Sequence, residues 1–113
     1  MSKKALQCSK MFDSVNGTVA RDVVIFVEGD RITSVEPAAT AKLDGCEVID
    51  LTGKFVTPGL IDCHMHIGMN GAGSSLGTKP YTSLGDATME GLTNVYSDLM
   101  AGFTSVRTCG DMG

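Results

Sequence analysis

The sequence predicts an α/β protein in which a small β-rich unit precedes a strand–helix–strand unit. Short stretches of β-branched residues, separated by turns that contain Gly and Asp, occupy the first 57 residues. From Leu60 onward the pattern changes to an apolar strand, a Gly-rich stretch, one amphipathic helix and a last strand. This order is typical of a βαβ unit with parallel strands. We therefore expect two units, residues 1–57 and residues 58–113.

The first unit is predicted to be a small antiparallel β unit. Its strands are expected over residues 5–12, 22–28, 32–35 and 47–51. Gly29 and Asp30 favour a tight turn, and hence a hairpin, between the second and third strands. Pro37 should end the third strand because it lacks an amide donor. A further turn is expected at Thr52-Gly53-Lys54, after the fourth strand.

The second unit is predicted to contain strands over residues 60–67 and 103–109, and a helix over residues 86–101. Ser83 and Asp86 have the spacing of a capping box at the helix start, and Gly102 suits the left-handed residue at its end. The Gly-rich stretch 68–85 is expected to be either a functional loop or a plain connection. The apolar residues of the helix form one stripe: Leu92, Val95, Tyr96, Leu99 and Met100.

Composition and charge argue against several classes of function. Lys and Arg number 9 against 13 Asp and Glu, and no basic cluster extends beyond Lys3-Lys4, so nucleic-acid binding is not expected. The longest apolar run, Val23–Val27, is too short to span a membrane, and no export signal is visible. The 4 cysteines contain no C-x-x-C pair and indicate free thiols in a reducing compartment. We expect a cytoplasmic protein with no nucleic-acid or membrane partner.

His64 and His66 form an H-x-H motif at the end of the first strand of the second unit. Because side chains alternate along a strand, Asp62 should share their face, and Cys63 and Met65 should point the other way. Alternate Cα atoms lie about 6.5–7 Å apart, so two imidazoles can reach one metal ion, and neutral imidazole suits Zn²⁺. The motif alone also fits two surface histidines on an edge strand.

The residues around this motif resemble those of a known enzyme family. The run Phe55–Gly68, FVTPGLIDCHMHIG, is similar to P-G-[LF]-I-D-x-H-x-H, which opens the barrel of the amidohydrolase superfamily. Ile49–Lys54 resembles the segment leading into that signature, and Val27–Ile32 resembles a hairpin of the family's small β domain. Ala101–Arg107 is similar to the second barrel strand of the branch that holds imidazolonepropionase-like enzymes, Xaa-Pro dipeptidases and arginine carboxypeptidases.

The resemblance implies both a fold and a chemistry. Family members combine a (β/α)₈ TIM-like barrel with a small composite β-sandwich, and one or two divalent metal ions, commonly Zn²⁺, activate water for hydrolysis. On this analogy residues 1–57 belong to the sandwich and residues 58–113 begin the barrel. His64 and His66 would be metal ligands, with Asp62 supporting them by hydrogen bonds. Apart from the resemblance, the position of Arg107 on the last strand predicts either substrate contact or, as is commoner for charged side chains, a structural role. No catalytic residue is identified.

The same resemblance limits what this chain is expected to do. A (β/α)₈ barrel takes about 250 residues, and roughly 55 of them are present here. The chain of 113 residues also has no third histidine. We therefore expect the N-terminal part of a larger, homo-oligomeric enzyme that hydrolyses a C–N bond in a small amide, cyclic amide or peptide-like substrate, with this part inactive alone. The alternative is a non-catalytic fragment or a small β-rich interaction module without hydrolase activity.

Overall fold

The computed structural model describes residues 3–68 and 83–110, and the chain divides into two compact units, Met1–Pro58 and Gly59–Gly113. The described residues have a mixed α/β fold that consists mostly of strands. Most of the Gly-rich stretch that the sequence predicts as a loop lies outside them. In the described part of the chain, no helix has the length and apolar character needed to cross a membrane.

The first unit is one four-stranded sheet. Its strands are β1 (Lys3–Asp13), β2 (Thr18–Glu28), β3 (Arg31–Pro37) and β4 (Glu47–Val56), in the order β3-β2-β1-β4. The β1–β2 and β2–β3 pairs are antiparallel, but β1 pairs with β4 in parallel. The prediction of a purely antiparallel unit is therefore wrong at this pair, because alternation within a strand carries no information about which strand becomes its neighbour.

The core of the first unit explains how the chain reaches the far edge of the sheet. Part of the connection between β3 and β4 packs on one face of the sheet, and it covers three buried side chains. The buried residues are Ala5, Val24 and Phe26, and the residues packed on them are Ala41, Leu43 and Cys46. Because a parallel pair needs a crossover connection, this apolar segment both closes the core and allows β4 to run in the same direction as β1.

Strand β4 is longer than predicted, because the expected turn at Thr52-Gly53-Lys54 is a bulge inside it. The register with β1 shifts after Cys8. Gly53 adopts a φ of 81°, and Asp50 Oδ1 accepts a hydrogen bond from Thr52 N at 2.8 Å. The turn chemistry is thus present, but β1 offers pairing partners on both sides of the bulge and the strand continues.

The second unit consists of two parallel strands joined by a helix, as predicted. β5 (Leu60–Met65) pairs with β6 (Phe103–Thr108), and α1 (Leu84–Met100) lies between them in the chain. Parallel strands cannot be joined by a tight turn, so the helix is the crossover that makes the pairing possible.

Residues next to α1 in the sequence determine where the helix begins and ends. Ser83 Oγ accepts from Asp86 N at 3.1 Å, while Asp86 Oδ2 accepts from Ser83 N at 3.3 Å, which confirms the predicted capping box. Gly102 has a φ of 102°, as expected for the residue after the helix. The sequence therefore identifies this helix correctly, with its start two residues earlier than predicted.

The apolar stripe predicted on α1 remains largely exposed. Leu92 is 61% exposed, Tyr96 64% and Met100 69%. The most buried residue of the helix is Gly91, and Asn94 is half-buried one turn further on. The amphipathic pattern identifies the apolar face of the helix, but it does not say what covers that face. The two strands of this unit cover only part of it.

Gly59 lies where the chain passes close to β6. A Cβ at this position would overlap the side chain of Thr104. One residue later, Leu60 N donates to Gly102 O at 2.8 Å, so the starts of β5 and β6 are held together. A residue with a side chain at position 59 would have to push these two segments apart.

We expect Gly59→Ala to lower the free energy of unfolding by about 1–3 kcal/mol, because overpacking displaces neighbouring backbone. Urea unfolding of the intact protein measures this change. Gly85→Ala is the matched control: within residues 3–68 and 83–110, the one atom close to a Cβ at this position is Ser83 Oγ at 3.6 Å. Since Gly85 is helical, alanine there should raise stability by up to about 1 kcal/mol. Equal stability of the Gly59→Ala variant and the unchanged protein would contradict the close approach.

Asp13 organises the turn between β1 and β2. Its Oδ2 accepts from Asn16 Nδ2 at 2.7 Å, and its Oδ1 accepts from Val15 N at 2.9 Å and from Asn16 N at 3.2 Å. These hydrogen bonds, first among them the one from the Asn16 side chain, lower the pKa of Asp13 below its ordinary value. Ionised Asp13 is therefore favoured by the folded state.

This lowered pKa predicts an acid-dependent contribution to stability. The contribution is complete above the unfolded-state pKa of about 3.9 and is lost as the pH falls through the lower folded-state pKa. The stability difference between the unchanged protein and Asp13→Asn should therefore shrink as the pH falls from neutral to below that range. Urea unfolding at a series of pH values measures it, and a difference that does not vary with pH would contradict this account.

Candidate metal centre

The two histidines singled out by the sequence lie side by side at the end of β5. His64 is in the strand and His66 directly follows its last residue. Their ring centroids are 5.4 Å apart, and the ring planes are inclined by 66°. His64 is exposed and His66 is half-buried, so the pair is open to a ligand from solution. The structure thus brings these two predicted site residues together.

The separation of the rings fits a shared metal ion. With Zn–N distances of about 2.0–2.1 Å, an imidazole centroid lies about 3.2 Å from the ion, and two such rings at a tetrahedral angle are about 5.2 Å apart. The observed separation is 5.4 Å. Within residues 3–68 and 83–110, no group of three or more His, Cys, Asp or Glu side chains could hold a metal ion. The two rings are therefore the candidate ligands that this part of the chain offers to such an ion.

Asp62 contacts the backbone of His64. It is half-buried, and its Oδ1 accepts a hydrogen bond from His64 N at 2.9 Å. The register between β5 and β6 also shifts between Asp62 and Met65, in the segment where this side chain engages the main chain. Asp62 therefore shapes the part of the strand that carries the first histidine.

The ring of His66 contacts the end of the neighbouring strand. Its Nδ1 lies 3.2 Å from the carbonyl oxygen of Gly110, two residues beyond β6. Gly110 has a φ of 90°. Cys109 N donates to Met65 O at 2.9 Å. The pairing of the two strands therefore extends to the residues directly before Gly110 and His66. His66 is thus positioned in two ways: its ring contacts Gly110, and its backbone follows a residue that is paired with β6.

Helix α1 fixes the residue that follows His66. Asn94 Nδ2 donates to Ile67 O at 2.7 Å. A Cβ on the buried Gly91 would lie 3.0 Å from Ile67 Cγ2, so the helix approaches closely here. Sequence reasoning missed both helix residues. An isolated glycine inside a helical pattern was the available indication for Gly91, whereas nothing in the pattern distinguished Asn94.

Met65, Cys63 and Arg107 are the remaining predicted residues that the structure describes. Met65 lines a cavity between the sheet and the helix, together with Val95 and Leu99 of α1. Cys63 is exposed, and so is Arg107 on β6. The part that Arg107 plays, in substrate contact or in structure, stays a prediction.

Comparison with known proteins relates this arrangement to one enzyme family. Residues 47–93 match the model of the amidohydrolase family. The imidazolonepropionase of Rhizobium rhizogenes is 36% identical over 66 residues, which cover 56% of this chain and 16% of that protein. The match begins in β4 and continues through the two histidines into α1.

Solved structures resemble nearly the whole chain. The crystal structure of a prolidase complexed with N-methylphosphonate-L-proline has a TM-score of 0.82 and 31% identity, over 96% of this chain and 26% of the prolidase. A Xaa-Pro dipeptidase with bound methionine in its active site has a TM-score of 0.82 and 26% identity, over 99% of this chain and 27% of that protein. The chain therefore spans about a quarter of the length of these solved relatives.

The contact between Asp62 and His64 predicts a local change in protection. In Asp62→Ala the His64 amide should exchange its hydrogen at least about fivefold faster, because a hydrogen bond of about 1 kcal/mol is lost. Asp62→Asn keeps an oxygen that can accept this hydrogen bond and should retain most of the protection. Amide hydrogen exchange of the intact protein measures both, and equal exchange rates in the two variants would refute the contact.

Proposed function

We propose, from the confirmed resemblance of this chain to the amidohydrolase family, that it forms the first part of a metal-dependent hydrolase. Its second unit would begin a (β/α)₈ barrel, and its first unit would belong to a small β-sandwich. The observation that carries the proposal is the proximity of the His64 and His66 rings, 5.4 Å apart at the C-terminal end of β5. Barrel enzymes place their active sites at this end of their strands.

Exposed apolar side chains of the second unit support the barrel. Ile61 on β5 is 68% exposed, and Leu92 and Tyr96 on α1 are each more than half exposed. Apolar surfaces of this kind are typical of faces that pack against further elements. In a barrel, other strands would cover β5 and the following helices would flank α1. A strand followed by a helix, as in β5 and α1, is also the repeat from which such barrels are built.

His64 and His66 would hold a divalent metal ion, and their nitrogen donors suit Zn²⁺. Such an ion, when bound, supplies a water whose pKa is lowered to about 7 for attack on an amide carbon. The residues of this chain hold the ligands in place. Asp62 fixes the backbone of His64, and α1 fixes the carbonyl of Ile67 beside His66. The further ligands and the general base would come from other parts of the protein.

The proposed reaction is hydrolysis of a C–N bond in a small amide, cyclic amide or peptide-like substrate. The relatives named above include an imidazolonepropionase, a prolidase and a Xaa-Pro dipeptidase. Since the likeness to the prolidase and the dipeptidase extends over nearly the whole chain, Xaa-Pro dipeptides are the first substrates to test. A homo-oligomer in the cytoplasm remains the expectation from the sequence.

Activity and metal content test this proposal. Both are measured on the intact protein, which means the whole enzyme that includes the parts proposed to supply the further ligands. We expect Zn²⁺-dependent hydrolysis of Xaa-Pro dipeptides or N-acyl amino acids. His64→Ala and His66→Ala should each lower kcat/KM by about a thousandfold, because the several kcal/mol supplied by a bound metal ion are lost. Metal analysis of each variant should show reduced zinc.

Cys63→Ser is the matched control for these variants. Cys63 is exposed on the same strand and is predicted to point away from the histidines, so zinc and activity should be retained. Full activity in a His64→Ala/His66→Ala double variant would contradict the metal centre. An intact protein that neither binds metal nor hydrolyses any of these substrates would favour the alternative, a non-catalytic fragment or a small β-rich interaction module without hydrolase activity.

A further inference from the structure

The carbonyl group of Gly110 lies against the ring of His66, and we propose that it selects the tautomer of this histidine and orients its ring. Nδ1 of His66 is 3.2 Å from Gly110 O. A carbonyl oxygen can only accept a hydrogen bond, so Nδ1 must carry the proton. A neutral imidazole has one N–H, and Nε2 is therefore left with the free lone pair that a metal ion requires.

The backbone at Gly110 presents this carbonyl in a way that favours glycine. Its φ of 90° lies in a region that residues with a Cβ rarely adopt. Among the residues that the structure describes, none has an atom within 4 Å of a Cβ built at this position. A substitution would therefore change the direction of the carbonyl through backbone strain, without crowding the ring of His66. A substitution at Gly110 therefore tests the contact between the carbonyl and the ring without adding a steric clash.

The pairing of β5 with β6 keeps the carbonyl and the ring in register. Cys109 N donates to Met65 O at 2.9 Å, and these two residues immediately precede Gly110 and His66. The sheet thus sets the two groups opposite each other, although 44 residues separate them in the sequence. On this reading the end of β6 contributes to the metal centre without providing a ligand, and Gly110 is a positioning residue.

The two histidines are held by different means, which provides an internal control. His64 is positioned through its backbone, because its amide N donates a hydrogen bond to Asp62 Oδ1 at 2.9 Å. The contact that positions His66 is to its ring. A change at Gly110 should therefore alter the ring of His66 and leave that of His64 as it was. The role of Nε2 as a ligand rests on the proposed function, whereas the tautomer is a property of this chain alone.

Nitrogen NMR of the histidine rings tests the inference directly. The intact, metal-free protein is labelled with ¹⁵N-histidine and studied in alkaline buffer, because the test concerns the two neutral tautomers of imidazole. Two-bond ¹H–¹⁵N spectra then distinguish Nδ1–H from Nε2–H. We expect His66 as the Nδ1–H tautomer, and a mixture of both tautomers at His66 in Gly110→Ala, with His64 unchanged.

Two further variants keep the test decisive. Gly110→Asn should preserve the Nδ1–H tautomer better than Gly110→Ala, because Asn tolerates positive φ more readily. Gly85→Ala, a helical glycine of the same unit, should leave both rings unchanged. Zinc titration of the intact protein should show about 10–100-fold weaker binding for Gly110→Ala, the usual effect of losing a group that orients a histidine ligand, with partial recovery for Gly110→Asn.

The outcomes separate this inference from the proposed function. An Nε2–H tautomer at His66 in the unchanged protein, or an unaltered His66 tautomer in Gly110→Ala, would overturn the inference even if zinc binds. An Nδ1–H tautomer that is lost in Gly110→Ala supports it, and failure of the unchanged protein to bind zinc would then count against the metal centre alone. If Gly110→Ala does not fold, the tautomer of His66 in the unchanged protein still decides, because an Nε2–H tautomer there overturns the inference and an Nδ1–H tautomer supports it.

Discussion

The parallel pairing of β5 with β6 is the constraint on which the second unit depends. At one end it requires Gly59, since a Cβ there would overlap Thr104. At the other end it continues past both strands through the Cys109–Met65 hydrogen bond of 2.9 Å. That last bond sets the chain after β6 beside the chain after β5. The proposed metal centre is therefore a consequence of where two strands end together.

The motif that the amidohydrolase resemblance rests on has a physical reason at several of its positions. Gly59 allows the close approach to β6, and Asp62 accepts the amide hydrogen of His64 at 2.9 Å. The alternate spacing of His64 and His66 brings their rings to 5.4 Å, close to the separation of two rings on one tetrahedral ion. The motif thus contains both the two proposed ligands and residues that shape the backbone carrying them.

Helix α1 has two surfaces with different tasks. One passes close to the strand ends, where Gly91 is buried and Asn94 donates to Ile67 O at 2.7 Å. The other carries the apolar stripe, in which Leu92 and Tyr96 are exposed. The first surface positions the chain beside His66. The second has the apolar character of a surface that packs against further elements.

The sequence by itself determined the features that depend on local interactions. The strand–helix–strand order, the Ser83–Asp86 capping box and the turn chemistry around Gly53 all follow from residues close together in the chain. Only the tertiary structure decided the parallel β1–β4 pair, the buried side of α1 and the contact between His66 and Gly110. Each of these features joins residues far apart in the sequence or depends on which surfaces pack together. The periodicity of one helix or strand does not indicate which other element lies next to it.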